Sequence, residues 1–380
     1  MKIDLNILSS EIIVIKIGSS LLIKNNLFNR GWLKSFLSDV KLLREKKIKI
    51  IIVASGAVAL GIKYLKIKNN EGLKINEKQA YASCGQSLLM KNFIEIFEKE
   101  SIKVSQILLT FSDTEERKRN LNARETINAL LNLDVIPIIN ENDTVARDEL
   151  KFGDNDRLAA KVAQISNANF LILLSDVDGL YNKNPNRFDE VKLIRVVETI
   201  NKETLKMGSS ETNLYGSGGM KTKIEAAQMA MSFGCDTIIC SGKKKNPILR
   251  IIYEPNKKFT WFKKQKFKKQ NSLKKWIAGT LKISGRITID NGAYKALIKG
   301  ASLLPSGITF VDGRFNRGDI LQVLNKEKVI IAKGISCYTS DEVIKLKGKK
   351  TKQIRSVLGY EGQDEIIHRD NLIINEKRNK

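Results

Sequence analysis

The stretch VIPIINENDTVARDELKFGDND, Val135 to Asp156, sets an apolar run directly against a run of amides and acids. Val135–Ile139 reads as a buried strand. The residues from Asn140 onward read as a ligand-facing turn outside the core, because unpaired polar groups are costly to bury. Polar side chains massed where a strand stops are the layout of a ligand site in an open α/β sheet. Asparagines alternate here with carboxylates and supply donors as well as acceptors. The turn therefore suits a small molecule carrying both amine and carboxylate groups better than it suits a metal cage. Asp154 and Asp156 have a second reading as helix caps ahead of Leu158-Ala159-Ala160.

The rest of the first 256 residues alternates strand-like and helical runs, which predicts a mostly parallel, doubly wound sheet. Strands are expected at Ile12–Ile17, Ile48–Val53, Ser105–Leu109, Val135–Ile139, Phe170–Leu174 and Thr237–Ile239. Ala123, Ile127, Leu130 and Leu131 mark one helical face, and Met220, Ile224, Ala227 and Met231 another, closed by Gly234. From Trp276 the texture turns to short runs separated by glycine, as in GTLKISGRITIDNGAYKAL, which predicts a small, mainly β domain of barrel type. The division expected is 1–256, a linker 257–275, and 276–380.

The linker, KKFTWFKKQKFKKQNSLKK, holds nine lysines and no acid. Its aromatics Phe259, Trp261, Phe262 and Phe267 suit either stacking on single-stranded nucleic acid or covering a domain edge. The whole chain carries 66 basic and 41 acidic residues, a net charge of +25. Lysine, isoleucine and asparagine are over-used together, so compositional drift competes with a polyanion partner as the cause. Cys84, Cys235, Cys240 and Cys337 show no metal spacing and are expected as isolated thiols. The single histidine, His368, argues against histidine-dependent acid–base chemistry. No apolar run reaches the ~18 residues of a membrane helix, and a cytoplasmic protein without a membrane partner is expected.

Four more loops follow strand ends. Lys16 leads into Gly18-Ser19-Ser20, bringing an ammonium and several amides near a bound phosphate, although a snorkelling structural lysine fits equally. Ser55-Gly56-Ala57 opens a helix, where Ser55 alternatively serves as a plain N-cap. Ser175-Asp176 ends the strand LLSDVDGLY. Gly216-Ser217-Gly218-Gly219-Met220-Lys221-Thr222-Lys223 runs straight into a helix, with Lys223 placed to reach a phosphate.

In this order IVIKIGSSLL, VASGAVALG, INENDTV, FGDNDRLAA, LLSDVDGLY and GSGGMKTK resemble the successive motifs of the amino acid kinase family. DNGAYKAL, GASLLPSGI, FNRGD and IAKGI resemble a PUA domain. The resemblance covers about Ile12 to His368. It implies an αβα sandwich around a mostly parallel sheet and ATP-dependent phosphorylation of the L-glutamate side-chain carboxylate, opening proline biosynthesis. By the same resemblance Lys16, Lys223 and Asp156 would be catalytic, while Ser55, Asp143 and Asn155 would hold glutamate. ATP would meet Lys16, Ser175, Asp176, Ser217, Gly218, Gly219, Met220, Lys221, Thr222 and Lys223. Mg²⁺ would come with the nucleotide and not sit in a protein cage. Proline as feedback inhibitor, a homodimer or homotetramer, and RNA as a partner of the PUA domain are also implied.

Three departures stand out: Ser175 replaces a common threonine, Lys221 replaces a small residue, and the lysine-rich linker is unusual. Rival readings are another kinase of the fold (acetylglutamate, aspartate or UMP kinase) and an RNA-binding PUA protein whose kinase half is vestigial.

Overall fold

The computed structural model describes residues 6–24, 27–68, 72–146, 155–185, 187–208, 219–254, 256–264, 277, 280 and 283–374. The chain divides into two compact units, Met1–Lys266 and Phe267–Lys380. In the first unit the strands are β1 (Ile12–Ile17), β2 (Ile23–Lys24), β3 (Leu27–Phe28), β4 (Lys49–Ala54), β5 (Val104–Leu109), β6 (Ile136–Glu141), β7 (Phe170–Ser175), β8 (Val196–Val197), β9 (Asp236–Ser241) and β10 (Phe259–Phe262). The helices are α1 (Ser19–Leu22), α2 (Arg30–Glu45), α3 (Ala57–Tyr64), α4 (Ile75–Glu98), α5 (Phe111–Glu115), α6 (Arg117–Asn132), α7 (Asn155–Ile165), α8 (Lys202–Met207), α9 (Met220–Ser232) and α10 (Pro247–Tyr253).

Eight strands form one sheet in the order β5-β6-β4-β1-β7-β9-β10-β8, with β2 and β3 pairing separately. The pairs from β5 through β9 are parallel, and β10 is antiparallel to β9. Strand periodicity of two sorts β1 between the faces. Ile13, Ile15 and Ile17 join the core built with α2, α4 and α10, whereas Ile12 and Val14 join the core built with α6, α7 and α9. Helices on both faces make the expected αβα sandwich. Lys16 follows the register of Ile12 and Val14, so its side chain leaves the sheet on the side where α7 and α9 pack.

Every expected strand is present, and several elements were not foreseen, among them α2, the 24-residue α4 and the β2–β3 hairpin. The expected linker is also corrected in part. Phe259–Phe262 is a strand of the large sheet, with Phe259 buried in one core and Phe262 in the other. Trp261 packs against the first of these cores and donates Nε1–H to Asp236 Oδ1 at 3.0 Å. Phe259 and Phe262 are core side chains and cannot stack on a base, whereas Trp261 is half-buried; Phe267 lies outside the described residues. Among the described residues no disulfide joins the cysteines, and no helix is long and apolar enough to cross a membrane.

The second unit holds a five-stranded sheet ordered β12-β11-β13-β14-β15. Its strands are β11 (Gly285–Ile289), β12 (Ile308–Asp312), β13 (Ile320–Leu324), β14 (Ile330–Ile335) and β15 (Leu372–Ile374). Ile287, Ile289, Leu321, Val323 and Tyr338 centre its own core.

Helices α3 and α4 touch backbone to backbone. A Cβ on Gly85 would lie 1.8 Å from the Ala57 carbonyl oxygen, and one on Gly61 would lie 1.8 Å from that of Tyr81. No rotamer relieves such a clash, so the helices would have to separate. Gly85→Ala is expected to cost at least about 1–3 kcal/mol, the ordinary penalty of overpacking. A thermal melt should show a midpoint several degrees lower.

Candidate active site

The carboxyl end of β1 and the first turns of α7 and α9 converge on one buried group, the carboxylate of Asp156. Lys16 Nζ stands 2.7 Å from Asp156 Oδ1, and Lys223 Nζ stands 3.1 Å from Oδ2. Asp156 is 1% exposed, and both lysines are buried as well. The Thr222 hydroxyl lies 3.0 Å from Asp156 Oδ2 and 2.9 Å from the Gly219 carbonyl oxygen, its two acceptors. Burial alone would raise the Asp156 carboxyl. Coulombic attraction to Lys16 and then Lys223, with hydrogen bonds from both, overcomes it and holds the group well below the usual carboxylate range.

Beside Asp156 the next residue back enters a second network. The Asn155 Nδ2 amide reaches the Ala54 carbonyl oxygen at 3.0 Å, Ser55 Oγ at 2.9 Å and Asn140 Oδ1 at 2.8 Å. Asn140 in turn accepts from the Glu141 backbone N–H at 2.9 Å and donates Nδ2–H to Gln86 Oε1 of α4 at 2.8 Å. This corrects in part the expectation that the polar turn lies outside the core, for residues 141–146 are half-buried or exposed. Asn140, Asn155 and Asp156 are buried, and the Asn140 amide, the Asn155 Nδ2 amide and the Asp156 carboxylate each have partners there. Ser55 is likewise no N-cap. Gly56 occupies that position, and the Ser55 hydroxyl faces Asn155.

The remaining expected residues sort by position. Asp143 lies just beyond β6 and makes no hydrogen bond among the described residues. Its burial, and next the neighbouring Glu141, push its carboxyl up to about 7. Ser175 ends β7, and its hydroxyl donates to Asp176 Oδ1 at 3.0 Å. Gly219 is the N-cap of α9, Met220 packs against the α7–α9 core, and Lys221 is exposed. Ser217 and Gly218, like Asp154, lie outside the described residues.

One residue of the network, Gln86, was not expected at the site, whereas Asn140 was expected as the start of the ligand-facing turn. Gln86 had a signal in the sequence. It is the one amide on the stripe Ala82, Gln86, Leu89 and Phe93, whose other three members are apolar and face the core. Arg157 and Glu225 add a structural tie, Nε to Oε2 at 3.0 Å, between the helices that carry Asp156 and Lys223.

A carboxylate that holds two ammonium groups at the carboxyl end of a parallel sheet is an anion-handling centre with no histidine in it. Residues 11–241 match the amino acid kinase family, and residues 285–358 match the PUA domain. The chain belongs to the amino acid kinase family. It is 47% identical over 365 residues to the glutamate 5-kinase of Pelagibacter ubique (strain HTCC1062), covering 96% of this chain and 98% of that protein. It is 44% identical over 363 residues to the glutamate 5-kinase of Bartonella henselae, covering 95% of each. Against the glutamate 5-kinase of Rhodospirillum rubrum the identity is 42% over 366 residues, covering 96% of each.

Asp156→Asn would leave two buried ammonium groups facing a neutral amide. Breaking a buried pair in this way costs roughly 3–5 kcal/mol. The sign with pH follows from the depressed folded value. The contribution is complete above the unfolded carboxylate value of about 3.9 and is lost as pH falls below it. Urea melts should therefore show Asp156→Asn well below wild type at pH 7, with the gap narrowing in strong acid.

Proposed function

We propose that this chain transfers the γ-phosphoryl group of ATP to the side-chain carboxylate of L-glutamate, forming L-glutamyl 5-phosphate and ADP in the first step of proline biosynthesis. The observation that carries this reading is the convergence of Lys16 and Lys223 on Asp156, in a chain whose relatives along its length are glutamate 5-kinases. In the reaction one carboxylate oxygen attacks phosphorus, the bond from phosphorus to the β,γ-bridging oxygen breaks, and ADP carries away the electron pair. A glutamate carboxylate is ionised at neutral pH, its reference pKa being about 4.3, so no general base is needed. That accounts for a centre without histidine.

What remains for the protein is alignment and charge stabilisation. In our reading the two ammonium groups flank the migrating phosphoryl and neutralise charge on its oxygens. Asp156 does not react. It holds the lysines apart at a fixed spacing and keeps them from collapsing onto the product. Ser55, Asn155 and Asp143 take glutamate; Ser175, Asp176 and the start of α9 take the nucleotide. Among the described residues no group of three or more histidine, cysteine, aspartate or glutamate side chains could cage a cation. In this reading magnesium enters as the MgATP substrate, held by phosphate oxygens and water. Inhibition by proline, assembly into dimers or tetramers and RNA as a ligand of the PUA unit belong to the same reading. So does a cytoplasmic location.

A coupled ADP-release assay with a panel of acceptors tests the reaction. L-Glutamate should be phosphorylated, whereas turnover of UMP, aspartate or N-acetylglutamate in its place would overturn the assignment. Lys223→Ala should lower kcat by about a hundredfold or more, the scale of one lost transition-state donor, with a much smaller change in the KM for glutamate. Asp143 supplies a pH test. With its carboxyl at about 7 it is neutral in mild acid and unable to pair with the α-ammonium of glutamate. The kcat/KM for glutamate should rise between pH 6 and 8, and Asp143→Asn should be low and flat over that range.

A further inference from the structure

The amide network that begins at Ala54 has a direction, and backbone groups fix it. The Ala54 carbonyl can only accept, so the Asn155 atom 3.0 Å away is the NH₂ group and Oδ1 is on the other side. The Glu141 N–H can only donate, so the Asn140 atom 2.9 Å away is Oδ1 and its NH₂ group faces Gln86. Gln86 must then present Oε1 to Asn140, at 2.8 Å, which turns its Nε2 away. The chain of three amides ends in one unspent acceptor, Asn155 Oδ1, and one unspent donor, Gln86 Nε2. Both atoms are buried without a hydrogen-bond partner. Gln86 is 9% exposed and Asn155 4%.

Buried donors and acceptors find partners in working proteins, and an orphan of each kind at a ligand site defines what the ligand offers. The acceptor suits an ammonium and the donor suits a carboxylate. From this we infer that Gln86 is a substrate-binding residue whose Nε2–H donates to the α-carboxylate of glutamate, while Asn155 Oδ1 accepts from the α-ammonium. The inference rests on the glutamate kinase reading and deepens it. Gln86 and Asn155 join Asp143 in recognising the head of the amino acid, leaving the side-chain carboxylate to meet the two lysines. Gln86 arrives from α4, far from the other site residues in sequence, and the close α3–α4 contact at Gly85 places it.

Gln86→Glu separates a ligand contact from a structural one. The glutamate side chain keeps an oxygen to accept from Asn140 Nδ2 and replaces the orphan donor by a carboxylate oxygen. Gln86→Met removes both groups at similar volume. Wild type and both variants are compared at pH 8 with L-glutamate and with 4-aminobutyrate, which is glutamate without its α-carboxylate, by calorimetric binding and by kcat/KM. Thermal melts check that each variant is folded. Gln86→Glu is expected to lose about tenfold or more toward L-glutamate, the scale of a hydrogen bond to a charged group. It should change by less than about twofold toward 4-aminobutyrate and in the KM for ATP, so that selectivity for the α-carboxylate collapses. A folded Gln86→Glu with wild-type selectivity overturns the inference and leaves Gln86 as the partner of Asn140 only. A parallel loss on both ligands overturns it too. Wild type that neither binds nor phosphorylates L-glutamate overturns this inference and the function together.

Discussion

One carboxylate shared between two ammonium groups organises this kinase unit. Asp156 sits on α7, Lys16 on the central strand β1 and Lys223 on α9, so a single buried side chain ties the sheet to two helices on one of its faces. A buried ion pair is seldom a net source of stability, because desolvation consumes most of the Coulombic gain. Its value here is geometric. In the proposed reading, two positive charges held at fixed distances from one oxygen pair form a preorganised cradle for phosphate.

The fold supplies that geometry through strand periodicity. Lys16 shares a face with Ile12 and Val14, and the apolar alternation of β1 leaves it no other side to point. The helices on that face begin near the carboxyl ends of the parallel strands, where their first turns bring Asp156 and Lys223 to the lysine. The second network uses the other half of the same edge. Ala54 ends β4, Asn140 is the penultimate residue of β6, and Asn155 bridges them one residue before Asp156. The two networks therefore meet at neighbouring residues of α7, Asn155 and Asp156.

Much of this was legible in the sequence. The parallel strands announce themselves as apolar runs, and each loop that follows one carries the polar residues that the sheet gathers. What was not legible has physical causes. Asn140 and Asn155 read as lying outside the core because burial of amides looks prohibitive until their partners are known, and those partners include groups of β4 and α4, distant in sequence. Ser55 read as a cap because the residue type favours it, but Gly56 takes that role and frees the hydroxyl for Asn155. Phe259, Trp261 and Phe262 read as linker aromatics because lysines surround them. A four-residue strand needs only its alternating faces buried, and charge at its flanks does not prevent that. Gln86 stayed hidden because one amide on an apolar stripe carries no motif.

The central claim is that Lys16 and Lys223 act as one unit through Asp156. A double-mutant cycle of Lys16→Met and Lys223→Met, read as kcat for phosphorylation of glutamate by folded variants, tests it directly. Residues acting as a unit are strongly non-additive, so the double variant should fall little further than the worse single variant. Losses that multiply across the cycle would mean that the two ammonium groups work independently, and the account built on their shared carboxylate would be contradicted.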